Sequence, residues 1–170
     1  MQGLGAAHIG DVEAARQSLD RLHSLRDALS AANQSYWVDQ TAIQIEEVGA
    51  WLALAEGNAE EALAAMRHAV ELEAATVKHP VTPGPIVPAY ELLGEMLLDL
   101  DEPVDALGAF EISLQDDPNR FRTLVGAASA AELAGDTGKA QRYYAALAAL
   151  GQGADSDRAE LAAAEAFLAQ

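Results

Sequence analysis

Three alanines, Ala62, Ala106 and Ala140, stand in the same local frame, and that frame narrows the folds open to this chain. A turn-prone residue lies five positions before each of them (Gly57, Asp101, Gly135) and a bulky one four after (Met66, Phe110, Tyr144). Another small residue lies twelve before (Ala50, Gly94, Ala128), and the interval from Ala106 to Ala140 is 34 residues. Alternating small and large positions at that period suit a helix–turn–helix repeat, whose apolar face is buried only against the next unit. Ala15, between Gly10 and Leu19, supplies the second half of a further unit upstream.

Composition agrees with helices that pack closely. Alanine dominates an apolar share of 51%, while only 5% of residues are aromatic, so the helix-forming small side chain, not the large ring, sets the packing distance. There is no cysteine, which excludes disulfides, thiolate catalysis and Cys-ligated zinc. Helices are expected from Asp11 to about residue 30, with Leu19, Leu22, Leu25 and Leu29 along one stripe, then over 36–56, 58–77, 88–100, 102–115, 120–134 and 137–150. A last helix over 157–170 would start in a capping box of Asp157 and Glu160. Pro80, Pro83, Pro85 and Pro88 lack amide protons and make an extended connector. The segment before Gly10 is too short for a full helix, although Gly3 takes its small position, so the chain is expected to be the C-terminal part of a longer repeat protein. The intervals Ala15–Ala62 and Ala62–Ala106 are 47 and 44 residues, and their excess is assigned to an extension around 36–41 and to the proline segment.

Tyr90, Leu93, Gly94, Leu97, Ala106, Phe110 and Pro118 together resemble the tetratricopeptide repeat (TPR) signature. The following unit is weaker, with Leu124, Ala127, Ala128 and Ala131, but keeps Gly135-Asp136 and Ala140. The preceding one departs at Glu46 and Gly49. The resemblance implies an all-α, TPR-like α-solenoid of antiparallel helix pairs with a C-terminal capping helix; another helical-hairpin array is the alternative. It implies a single domain over 1–170, with repeats at about 1–30, 36–78, 87–117 and 120–151 and a cap over 157–169. The stretches His79-Pro-Val-Thr-Pro-Gly-Pro, Leu92-Leu-Gly-Glu and Pro118-Asn-Arg-Phe also resemble a group of bacterial multi-repeat proteins, which implies no activity.

In TPR folds the first helix of each pair lines a concave groove. Carried over, that implies ligand-binding positions at Glu47, Trp51, Glu91, Glu95, Leu98, Arg122, Val125 and Ser129. The family's carboxylate clamp uses Lys and Asn at such sites; glutamates there would repel a peptide C terminus. The expected partner is a protein or peptide, basic or amphipathic, with Trp51 as apolar anchor and Glu47, Glu91 and Glu95 as steering charges. The plainer alternative makes these glutamates solvated surface and packs Trp51 against 36–41. Net charge is −17, and residues 27–117 hold 18 carboxylates against Arg67 and Lys78. Such a field disfavours nucleic acid and anionic membranes, or serves solubility alone.

Catalytic chemistry is missing from the sequence. Asp20 with His23, and His68 with Glu71, each offer two ligands where zinc needs three or four, so no metal is expected. No cofactor motif is present, since Gly3-Leu-Gly5 follows no strand and lacks a third glycine. No stretch approaches a membrane span, the first residues do not form a signal peptide, and the compartment stays open between bacterial cytoplasm and periplasm. The chain reads as a non-enzymatic interaction scaffold. One alternative is a structural segment of a longer superhelix or an oligomer interface, with self-association. Another is a small-molecule or metal sensor at the connector 79–88 around His79.

Overall fold

The computed structural model describes residues 2–76, 85–154 and 158–169, which hold nine helices and no strand. The helices are α1 (Gln2–His8), α2 (Val12–Ala31), α3 (Ser35–Ala55), α4 (Ala59–Ala75), α5 (Ala89–Asp99), α6 (Pro103–Asp116), α7 (Phe121–Leu133), α8 (Thr137–Leu150) and α9 (Ala159–Leu168). They form two compact units, 1–92 and 93–170, with the division inside α5.

The turn-prone residues do what the repeat frame asks of them. Gly10, Gly57, Asp101 and Gly135 all have positive φ, as does Asn33 between α2 and α3. After each of these residues the next N–H reaches back to a carbonyl five residues earlier: Asp11 to Ala6, Gln34 to Leu29, Asn58 to Ala53, Glu102 to Leu97 and Asp136 to Ala131, at 2.8–3.0 Å. That bond is the Schellman closure, and it gives otherwise orphaned C-terminal carbonyls a donor. Side chains then start the next helix at two turns, where Asp11 accepts from the Ala14 N–H and Asp136 from the Lys139 N–H. Asp101 occupies its left-handed conformation at φ 61 without glycine's freedom. Asp101→Gly should therefore raise stability by up to about 1 kcal/mol, the relief of strain being partly offset by a more flexible unfolded chain. A lowered urea midpoint in that variant would contradict the assignment.

The repeated alanines lie at the helix contacts: Ala15, Ala50, Ala62, Ala106, Ala128 and Ala140 are all fully buried. In the first unit α1 packs on both α2 and α3, and α3 packs on α2 and α4. Gly3 is the point of closest approach, since a Cβ there would stand 2.8 Å from Val48 Cγ1. So the segment before Gly10 does form a helix, of seven residues. A helix that short is marginal alone and is held by the neighbours it packs against. The extra residues between Ala15 and Ala62 lengthen α2 and α3 to 20 and 21 residues, and 36–41 is the first part of α3.

In the second unit α6 packs on α7, α7 on α8 and α8 on α9. Phe110 of α6 is fully buried between two glycines: a Cβ on Gly94 would come within 2.7 Å of its ring, and one on Gly126 closer still. Glu111 joins α6 to α8, accepting from Tyr143 Oη at 2.7 Å and Lys139 Nζ at 3.0 Å. Partial burial works against the charge on Glu111, but the hydrogen bonds from Tyr143 and Lys139 outweigh it and hold the carboxyl below its ordinary value. The ring of Phe167 on α9 lies 4.6 Å from that of Tyr144, and Ala164 is fully buried. Asp157, expected to cap α9, lies outside the described residues, as do His79, Pro80 and Pro83; Arg158 stands at the N-cap position without a side-chain cap bond.

Candidate functional site

Five of the eight groove positions converge in the second unit. Glu95 and Leu98 on α5, and Arg122, Val125 and Ser129 on α7, line one cavity of about 490 Å³. The spacing explains the alignment, because residues three, four and seven apart share a helix face. Phe110, Phe121 and Gly126 supply the rest of the apolar wall, and Arg158 and Glu160 at the start of α9 complete the rim. The Arg158 guanidinium lies 4.6 Å from the centre of the Phe121 ring.

Charge in this cavity is balanced. Arg122 Nη2 donates to Glu95 Oε1 at 2.6 Å, and the side chains keep 57% and 21% of their exposure. An ion pair so open to water contributes a fraction of a kcal/mol, up to about 1, so a ligand can exchange it at little cost. Glycine at 126 has a second role beyond packing, because it leaves Phe110 as part of the cavity wall. Phe121, Arg158 and Glu160 were not among the expected positions. Phe121 stands one residue before Arg122 and could have been found as its neighbour at a helix start; the α9 pair depends on how the cap folds back, which no local pattern records.

The three remaining positions are buried side chains of the first unit. Trp51 is 3% exposed, and its indole stacks on the His8 imidazole with ring centroids 3.8 Å apart. The α1 helix thus occupies the face on which Trp51 was expected to meet either a ligand or the 36–41 segment. Among the described residues its buried indole N–H meets no acceptor. Glu91 is fully buried, and Glu47 is 5% exposed. A steering charge must face solvent, so neither glutamate can serve as one in this arrangement.

Glu47 instead lines a second, smaller cavity of about 130 Å³, with Glu73 from α4, Leu4 from α1, and Gln40, Ile43, Gln44 and Val48 from α3. Pro85, Ile86 and Val87 border it too. Glu73 accepts the Ala89 N–H at 3.3 Å. Burial, and then the charge of Glu73, push the Glu47 carboxyl from its ordinary value of 4.5 up to about 8.

Among the described residues no group of three or more His, Cys, Asp or Glu side chains could hold a metal ion. His68 pairs with Glu46 at 3.4 Å, on α3, and not with Glu71 on its own helix. No described helix is long and apolar enough to cross a membrane.

Left-handed turns at a fixed offset, buried alanines and antiparallel neighbouring helices define a TPR-like helical-repeat fold. Among solved structures the chain is similar to the crystal structure of PcrH from Pseudomonas aeruginosa, with a TM-score of 0.55 and 18% identity over 75% of this chain and 89% of that one. At that identity the likeness is one of fold. No family model matches the chain, and no curated protein does.

Proposed function

We propose that this chain is a non-catalytic protein-binding scaffold, and that the cavity between α5, α7 and α9 takes an amphipathic segment of a partner protein. The observation that carries the reading is the convergence of Glu95, Leu98, Arg122, Val125 and Ser129 on one cavity, with Phe110 and Phe121 behind them. Its volume falls within the range of ordinary ligand clefts. An apolar side chain of the segment would seat on Leu98, Phe121 and Val125. A basic residue beside it would take the Glu95 carboxylate from Arg122, or engage Glu160, at the half-exposed rim.

Fluorescence anisotropy with a labelled peptide library tests this. Amphipathic basic peptides should bind best. Val125→Asp, which puts a charge on the apolar wall, should weaken them at least tenfold, equivalent to about 1.4 kcal/mol. Glu95→Gln should weaken basic peptides and leave neutral ones unchanged, while Arg67→Ala on α4 should change nothing. The reading fails if acidic and basic peptides bind equally well, or if Val125→Asp has no effect on the best of them.

A further inference from the structure

Packing accounts for two of the chain's three phenylalanines: Phe110 is wedged between glycines, and Phe167 lies against Tyr144. Phe121, the first residue of α7, is only half-buried and lines the cavity of the second unit. Over its ring stands the Arg158 guanidinium, 4.6 Å from the centroid. Arg142 lies in a similar way over Tyr143, at 4.7 Å, but there Tyr143 Oη at 2.8 Å and Glu111 Oε1 at 3.4 Å fix the guanidinium in place. Arg158 is exposed, and it occupies the N-cap position of α9 without giving that helix a side-chain cap bond. Its side chain is thus free to leave the ring without disturbing the start of α9. Glu160, two residues further on, brings a carboxylate to the same rim.

We propose that the ring face of Phe121 is the subsite for an arginine of the partner segment, and that Arg158 fills this subsite in the free chain as an internal competitor. The assignment rests on the cavity's being the site of a partner segment, and it decides which basic residue that segment carries. A guanidinium is planar and weakly hydrated, so it lies flat on an aromatic ring at little cost in lost water. An ammonium is compact and strongly hydrated, and gives up more water for a poorer contact. The chain's own arginine shows that the ring accepts the planar group. An incoming arginine stacks on Phe121, extends its fork of N–H donors towards Glu160, and leaves Leu98 and Val125 to the apolar anchor. Arg158 is released to solvent as it does so. One stacked guanidinium then replaces another, so the exchange by itself is nearly neutral and the subsite's preference for arginine stays masked while Arg158 is present. An arginine contact is gained in full only when the internal competitor is removed.

The test compares matched peptides that carry arginine or lysine at the basic position, on the whole chain and on Arg158→Gln. Removing the positive charge of Arg158 helps both peptides alike, so the ratio of the two Kd values isolates the stacking contact. That ratio should move in favour of arginine by about two- to fivefold in Arg158→Gln, the effect of one cation–π contact at an exposed site. Phe121→Leu, which keeps an apolar side chain and removes the ring, should abolish the gain when combined with Arg158→Gln. A second readout needs no peptide. In phenylalanine-labelled protein, Nα-acetyl-arginine amide should shift the Phe121 ring signals at lower concentration in Arg158→Gln than in the parent, and Nα-acetyl-lysine amide should not. The subsite is overturned by any of three results: a ratio unchanged in Arg158→Gln, a gain that survives Phe121→Leu, or Phe121 signals in Arg158→Gln that arginine amide leaves in place. Failure of the cavity as a whole looks different, since Val125→Asp would then leave every peptide unaffected while the arginine amide still shifted Phe121.

Discussion

Gly126→Ala should destabilise the protein, although alanine is the better helix former by about 1 kcal/mol at an ordinary interior position. The helix α7 carries Gly126 against the ring of Phe110, and a methyl group there would overlap ring carbons that have no room to withdraw, since Gly94 of α5 closes the other side. Overpacking of a filled core costs about 1–3 kcal/mol. Phe110→Ala should cost more, about 3–5 kcal/mol, because it removes the largest fully buried side chain among the described residues and leaves a hollow between two glycines that cannot fill it. The two substitutions touch one space, so they should not add: Phe110→Leu combined with Gly126→Ala should be more stable than the sum of the single changes indicates. Urea midpoints at constant slope measure all four variants. A Gly126→Ala protein more stable than the parent would mean that the ring does not sit where it is described.

The second large effect is one of pH. The unfolded chain gives up the Glu47 proton near 4.5, and the folded chain keeps it until about pH 8. Between those values the folded state binds more protons, so its stability falls as pH rises, by up to about 1.4 kcal/mol per unit. Below 4.5 the group contributes nothing; above about 8 the loss is complete, on the order of a few kcal/mol. Glu47→Gln keeps the shape and removes the ionisation. That variant should match the parent at pH 4.5 and exceed it progressively towards pH 8. Taking the difference between the two proteins cancels the pH response of the other carboxylates in a chain of net charge −17. Parallel stability curves for parent and variant from pH 5 to 8 would show that Glu47 ionises freely in the fold.

What the residues disclosed in advance was mostly local. Gly57, Asp101 and Gly135 declared the turns because a left-handed backbone suits few side chains, and each does adopt positive φ. Ala106 with Phe110 declared a contact because a small and a large residue one turn apart on a helix make a step that a neighbour must match. The choice of Arg122, Val125 and Ser129 came from the TPR resemblance, and their spacing of three and four keeps them on one side of α7. Glu47 and Trp51 lie on an equally regular face, and there the same inference met the α1 helix. Seven residues carry too little helical preference of their own to be read as a helix; Leu4, Ala7 and His8 are held by α3, a contact across about forty residues of chain. Gly126 escaped notice for a related reason. Its meaning depends on a phenylalanine one helix earlier, and on its own it reads as a weak point in α7.

The backward hydrogen bond that closes the turns after α1, α2, α3, α5 and α7 makes no use of side chains from any other hairpin. Corner geometry is therefore written separately into each link, and the choice of neighbour is left to the alanines and their bulky counterparts. A hairpin lifted from one place in such a chain would carry its own bend with it, and would need only new flanking surfaces to be spliced in elsewhere.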